Sequence, residues 1–122
     1  MIFTTGFIEK NTPYLNSIKL VGKKGFIPLQ VVLDTGFTDE FCLPIAYKNK
    51  CNYTFCGKDE YVLADGRTIT DNLYEIDIVI NHQPYTIQAS FTDDDECLIG
   101  MELLQNKIIT LNTKNDTLLI TT

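Results

Sequence analysis

The sequence predicts an all-β domain, and three observations carry that reading. β-branched and aromatic residues are plentiful, while stretches that favour helix are few. Residues 73–80 alternate strictly, with Leu73, Glu75, Asp77 and Val79 on one side and Tyr74, Ile76, Ile78 and Ile80 on the other. That is the period of a strand with one buried face. Just before it, Ala64-Asp65-Gly66-Arg67 is the strongest hairpin signal in the chain, because Asp-Gly supplies the positive φ that tight turns demand.

The elements follow in order. Residues 6–10 and 14–21 read as two short strands, broken around Asn11-Thr12-Pro13. Gly22-Lys23-Lys24-Gly25 is a turn signal, and residues 26–33 form the next strand. Pro44 suits the start of a helix, where its missing N–H costs nothing, so residues 45–50 are read as a turn or two of helix. Residues 51–57 read as a loop. Residues 59–64 form a strand that returns as a long one over 68–80. Asn81-His82 turns the chain into a strand over 84–91, where Tyr85, Ile87 and Ala89 alternate with Thr86 and Gln88. Cys97-Leu98-Ile99-Gly100 reads as a short apolar strand ending at glycine, followed by an amphipathic turn of helix over residues 101–104. Residues 107–111 and 117–121 close the chain as a hairpin.

Composition narrows the function. A chain of 122 residues suits one domain, 1–122, with a real but small core. The net charge is −6 with no basic stripe, which argues against nucleic acid or an anionic membrane as the main partner. No apolar run approaches the ~20 residues needed to cross a bilayer. The first residues show no basic segment followed by a long apolar core, so no signal peptide is expected and a cytoplasmic location is. The four cysteines, Cys42, Cys51, Cys56 and Cys97, are then expected as free thiols, some buried as small hydrophobes. They lack paired zinc spacing, and the single histidine, His82, lies far off, so no metal and no cofactor are predicted.

One stretch invites chemistry. Val31-Val32-Leu33 reads as a buried strand running straight into Asp34-Thr35-Gly36. It delivers a carboxylate to the lip of the core, where an unpaired charge is costly. Two readings of Asp34 stand at this point. Asp-x-Gly is ordinary turn chemistry, in which the aspartate bonds to backbone two residues on. The alternative is a catalytic carboxylate. The acidic loop Thr92-Asp93-Asp94-Asp95-Glu96 is likewise either a solvated connection or a local field beside a cleft that prefers basic groups.

Three signals stand in a fixed order: the strand into Asp34-Thr35-Gly36, the hairpin with a glycine at Asp65-Gly66, and Leu98-Ile99-Gly100 with Leu103-Leu104 behind it. This order resembles one half of an aspartic protease, and more closely the single-domain retropepsin-like group, over about residues 15–120. Phe37-Thr38 and Met101-Glu102-Leu103-Leu104 look more like its cellular prokaryotic branch.

The resemblance implies a closed, barrel-like acid-protease lobe with a flap hairpin and one short helix near the C-terminus. By motif, Asp34 matches the catalytic aspartate, Thr35 the threonine that bonds across to the partner half, and Gly36 the glycine that lets backbone approach substrate. Ala64, Asp65, Gly66 and Arg67, with Thr68, match the flap over a bound peptide. Leu98 and Ile99 match the strand beside the aspartate loop, and Phe37 and Thr38 fall at its substrate side. Phe37 stands where a small residue is usual, so it fills either a substrate subsite or a neighbouring core pocket.

The chemistry that the resemblance implies needs two carboxylates sharing one proton, and the chain has one Asp-Thr-Gly. The implied protein is therefore a homodimeric aspartic endopeptidase with Asp34 of each copy on the two-fold axis, acting on peptide or protein substrates. The terminal strands are candidates for an intersubunit sheet. Two rivals remain: a non-catalytic peptide-binding or dimerisation module on the same scaffold, and a small barrel in which Asp34 merely caps a turn.

Overall fold

The computed structural model describes all 122 residues. Strands β1 (Ile2–Glu9) and β2 (Thr12–Leu15) are joined where Lys10 and Asn11 take positive φ, so the expected break is a hairpin turn. A third left-handed residue, Ser17, separates β2 from β3 (Ile18–Gly22). β4 (Gly25–Pro28) returns along β3 and stops at Pro28, which has no N–H to extend a ladder. The Leu29 N–H instead bonds to Ile18 O at 2.9 Å, and the chain turns inward into β5 (Val31–Leu33). Residues 26–33 are thus two strands in different parts of the sheet.

β6 (Phe41–Pro44) leads into a 3₁₀ helix, Ile45–Lys50, which Pro44 precedes. The loop expected over 51–57 is shorter than predicted, because β7 begins within it (Thr54–Val62). A bulge between Phe55 and Gly57 interrupts its period, and this hides the strand in the sequence. β8 (Thr68–Ile80) has the predicted bounds, and β9 (Gln83–Thr92) follows. β10 (Cys97–Ile99), β11 (Ile108–Asn112) and β12 (Thr117–Thr121) complete the chain.

The short helix expected after Gly100 does not form. Residues 101–106 make consecutive turns, with Leu104 N–H bonding to Met101 O at 3.2 Å and Asn106 in the left-handed region. Buried Leu104 holds the segment against the core as a run of turns. The only helical segment is the 3₁₀ helix.

The strands form one mixed sheet in the order β11-β12-β1-β2-β5-β10-β6-β9-β8-β3-β4, with β7 on β8. The predicted closed barrel is not observed, and the sheet is open. Its end strands, β11 and β4, do not pair, and β4 is short and ends in a proline that offers no donor. Side chains from distant strands still meet in one core: Ile76, Ile78 and Ile80 of β8 join Leu20, Phe41, Ile99 and Ile120 in a cluster of 20 buried residues. Burying each large aliphatic side chain contributes about 1.5–3 kcal/mol, so the period-two face of β8 is the main anchor. The terminal strands β1 and β12 pair with each other inside the chain, which leaves β11 as the free edge at that end. No helix is long and apolar enough to cross a membrane.

Candidate active site

β5 is wholly buried and three residues long, so its next residue, Asp34, emerges at the edge of the core, half-buried. β10 fixes it there. β10 runs parallel to β5 and antiparallel to β6, lying between them. The ladder continues one step past β5, because Asp34 N–H donates to Ile99 O at 3.1 Å.

The turn that follows is tightly bonded. Phe37 N–H reaches Asp34 O at 3.1 Å, and Gly36 N–H reaches Asp34 Oδ1 at 2.9 Å. The turn-capping reading of Asp34 is therefore present in the structure, and it occupies one carboxylate oxygen. Oδ2 takes no hydrogen bond from the chain. Gly36 is not in the left-handed region; its missing side chain matters because a Cβ there would lie 3.3 Å from Asp34 Oδ1. Thr35 and Gly36 are exposed.

Gly100 closes the frame. Its N–H bonds to Glu40 O at 3.0 Å, and Met101 N–H bonds to Phe37 O at 2.9 Å. A Cβ at Gly100 would run into Asp39 O, and would lie 2.6 Å from both the Phe37 ring and its carbonyl. The half-buried Phe37 ring packs against Gly100. Thr38 is exposed.

Asp34 lines an open cavity of about 450 Å³ together with Asp94, Asp95, Glu96 and Leu98. The acidic loop is therefore brought beside Asp34, with half-buried Leu98 as the apolar wall. Ile99 is not part of that wall. Its side chain is 0% exposed in the core, and only its carbonyl meets the Asp34 turn.

The hairpin tip is longer than Asp65-Gly66 alone. Val62 and Thr68 are the last paired residues, and residues 63–67 form a loop closed by Leu63 N–H to Arg67 O at 2.8 Å. Gly66 takes φ of +87°, and Arg67 bonds to the Asp65 carboxylate through both Nε (2.6 Å) and its backbone N–H (3.0 Å). Ala64, Asp65, Gly66 and Arg67 are all exposed, and none lines the cavity that holds Asp34.

The sequence reading missed two anchors of this hairpin. On its arm, the Tyr61 hydroxyl donates to Asp39 Oδ2 at 2.5 Å, tying β7 to the end of the aspartate loop. Burial raises the Asp39 carboxyl above its ordinary value; the Tyr61 hydroxyl opposes this, and the Asp59 carboxylate adds to it. Burial and then the Asp39 carboxylate push the Tyr61 phenol strongly upward. At its root, Lys48 Nζ lies 5.2–5.5 Å from the ring centres of Tyr53, Tyr74 and Phe91, a three-ring cation–π seat. The β7 alternation puts Asp59 and Tyr61 on one face, but nothing in the sequence points that face at Asp39.

No family model matches the sequence. No curated protein matches it. Solved structures do. A crystal structure of a retropepsin-like aspartic protease from Rickettsia conorii matches with a TM-score of 0.61 and 19% identity, over 95% of this chain and 87% of that one. The solution structure of simian foamy virus (mac) protease matches with a TM-score of 0.51 and 14% identity, over 68% of this chain and 85% of that one. With β5, the Asp34 turn and β10 in this arrangement, the chain has the retropepsin-like aspartic protease fold.

Proposed function

We propose that the chain is an aspartic endopeptidase that acts as a homodimer, with one Asp34 from each copy forming the catalytic pair. The observation that carries this is Asp34 itself. A rigid turn holds it at the mouth of a cavity, with one oxygen engaged and the other open, and Thr35 and Gly36 exposed beside it. One carboxylate cannot serve as both acid and base in the same step. Two within about 3 Å share a proton, so one activates water while the other polarises the scissile carbonyl. The second carboxylate comes from a second copy about a two-fold axis.

The substrate is an extended peptide lying under the β7–β8 hairpin, bound as an added strand. Ala64 to Arg67 close over it from the tip, and Phe37 and Thr38 flank it. Asp94, Asp95 and Glu96 favour peptides with Lys or Arg near the scissile bond. The terminal strands β1 and β12 pair with each other within the chain, so they are not free to build an intersubunit sheet. The free β11 edge, with Ile108 exposed, is available to extend a sheet across the dimer.

The test uses a peptide library from about pH 3 to 7, the span of shared carboxylates. Wild type cleaves and Asp34→Asn does not. Adding excess Asp34→Asn chains to wild type, after exchange of subunits, lowers cleavage as mixed dimers form. Activity that is indifferent to mixing, or a protein that cleaves as a monomer, overturns the shared pair. A chain that dimerises and binds peptide without cleaving it is the binding module instead.

A further inference from the structure

The β3–β4 turn meets the end of the 3₁₀ helix, and there the chain builds a basic recess that shares no residue with the cavity at Asp34. The recess measures about 360 Å³ and is lined by Lys23, Lys24, Lys50, Asn49, Phe26 and Ile27. No carboxylate lines it. The chain's one ion pair is Arg67 with Asp65, so none of the three lysines is neutralised by an acidic side chain. Lys50 Nζ sits 5.4 Å from the Tyr47 ring.

The convergence is imposed by backbone. Lys23 N–H bonds to Lys50 O at 2.8 Å, and Gly22 bridges to Cys51, so the two lysine-bearing segments are held together. Gly25 turns the hairpin with φ of +128°, which brings Phe26 round to the rim, 65% exposed.

Three lysines line one recess with no carboxylate among them, so the recess carries a local positive charge in a chain of net charge −6. The chain's net charge of −6 disfavours a long polyanion that would spread beyond the recess, whereas a compact one needs only the recess itself. An exposed aromatic ring beside the cations adds a flat stacking surface. A site of this volume falls at the lower end of small-ligand pockets.

We propose that this recess binds a nucleoside polyphosphate. The phosphates lie against Lys23, Lys24 and Lys50 with the Asn49 amide as a further donor, and the base stacks on Phe26. The assignment is independent of the peptidase reading.

The test is an amide NMR titration of the whole chain with ATP, inorganic tripolyphosphate, adenosine and a single-stranded oligonucleotide. ATP is expected to move amides 22–27 and 49–51 saturably below about 5 mM. Tripolyphosphate binds the same amides more weakly, and adenosine alone does not bind. Lys24→Glu and Lys50→Glu each weaken ATP by about tenfold. Phe26→Ala weakens ATP several-fold and leaves tripolyphosphate unchanged. These side chains are exposed, and the same spectra report whether each variant keeps its fold. The proposal is overturned by shifts that do not saturate, by tripolyphosphate binding as tightly as ATP, or by the oligonucleotide binding more tightly than either.

Discussion

The Tyr61 hydroxyl and the Asp39 carboxylate join the β7–β8 hairpin to the loop that carries Asp34, across 22 residues of sequence. The bond makes the position of the hairpin depend on a titratable group. Tyr61→Phe should destabilise the protein by about 1–2 kcal/mol, the cost of leaving a partly buried carboxylate without its donor. Faster amide exchange over residues 57–71 than in wild type, measured together with chemical denaturation, checks this.

The pH dependence of that link has a definite sign. Burial raises Asp39 above its ordinary 3.8, so the folded state holds the proton more tightly than the unfolded one. The stability this contributes is complete below pH 3.8 and is lost as pH rises through the folded value. Asp39→Asn should therefore lose less stability than wild type between acid and neutral pH. In Tyr61→Phe, the hydroxyl that opposes the rise is gone, so Asp39 should titrate higher still. Carboxyl NMR titration reads both.

Gly100→Ala should cost at least about 2 kcal/mol, in the range of overpacked cores, because the new methyl meets the Asp39 carbonyl and Phe37 rather than a flexible side chain. The damage is local to the Asp34 frame. A denaturation midpoint within error of wild type would mean that the Asp34 turn yields easily.

On the proposed peptidase reading, the acidic wall beside Asp34 sets substrate choice. Replacing Asp94, Asp95 and Glu96 by their amides should cut the preference for Lys- or Arg-bearing peptides over neutral ones by about tenfold. Each exposed pair is worth about 0.2–1 kcal/mol, and added salt should weaken the preference in the wild type. Competition assays with paired peptides measure it. An unchanged ratio would leave the acidic loop as a solvated connection.

Thiol chemistry separates the cysteines. Cys42, Cys51 and Cys97 are buried and Cys56, on the β7 bulge, is exposed. Burial, and then the nearby Cys42, push Cys97 up to about 12, so its thiolate is scarce at neutral pH. Alkylation followed by mass spectrometry should label Cys56 first and the other three only on unfolding.

The long period-two face of β8, the Asp-Gly turn and the apolar run into Asp34 were legible because each is a local pattern. Legibility failed where tertiary contact decides. Pro28 moves the chain between sheet positions, so 26–33 looked continuous. The bulge at Cys56 breaks the alternation of β7. Residues 101–104 have helical spacing, yet Leu104 packs them as turns. Closure of the sheet depends on whether β4 and β11 meet, and no local pattern reports that. At the site, Asp34 and Leu98 were found from sequence and share one cavity. Ile99 was legible as part of the strand beside the aspartate loop, but not that its side chain faces the core. Tyr61 and Asp39 carry no motif at all.

The placement of β10 between β5 and β6 has a consequence during synthesis. The Asp34 turn hangs on Ile99 and Gly100, which leave the ribosome some 65 residues after it. A nascent chain that ends before them has the Asp-Thr-Gly held only by the turn's own hydrogen bonds, with no β10 to fix it against the core. The frame around Asp34 is therefore completed only after most of the polypeptide has been made.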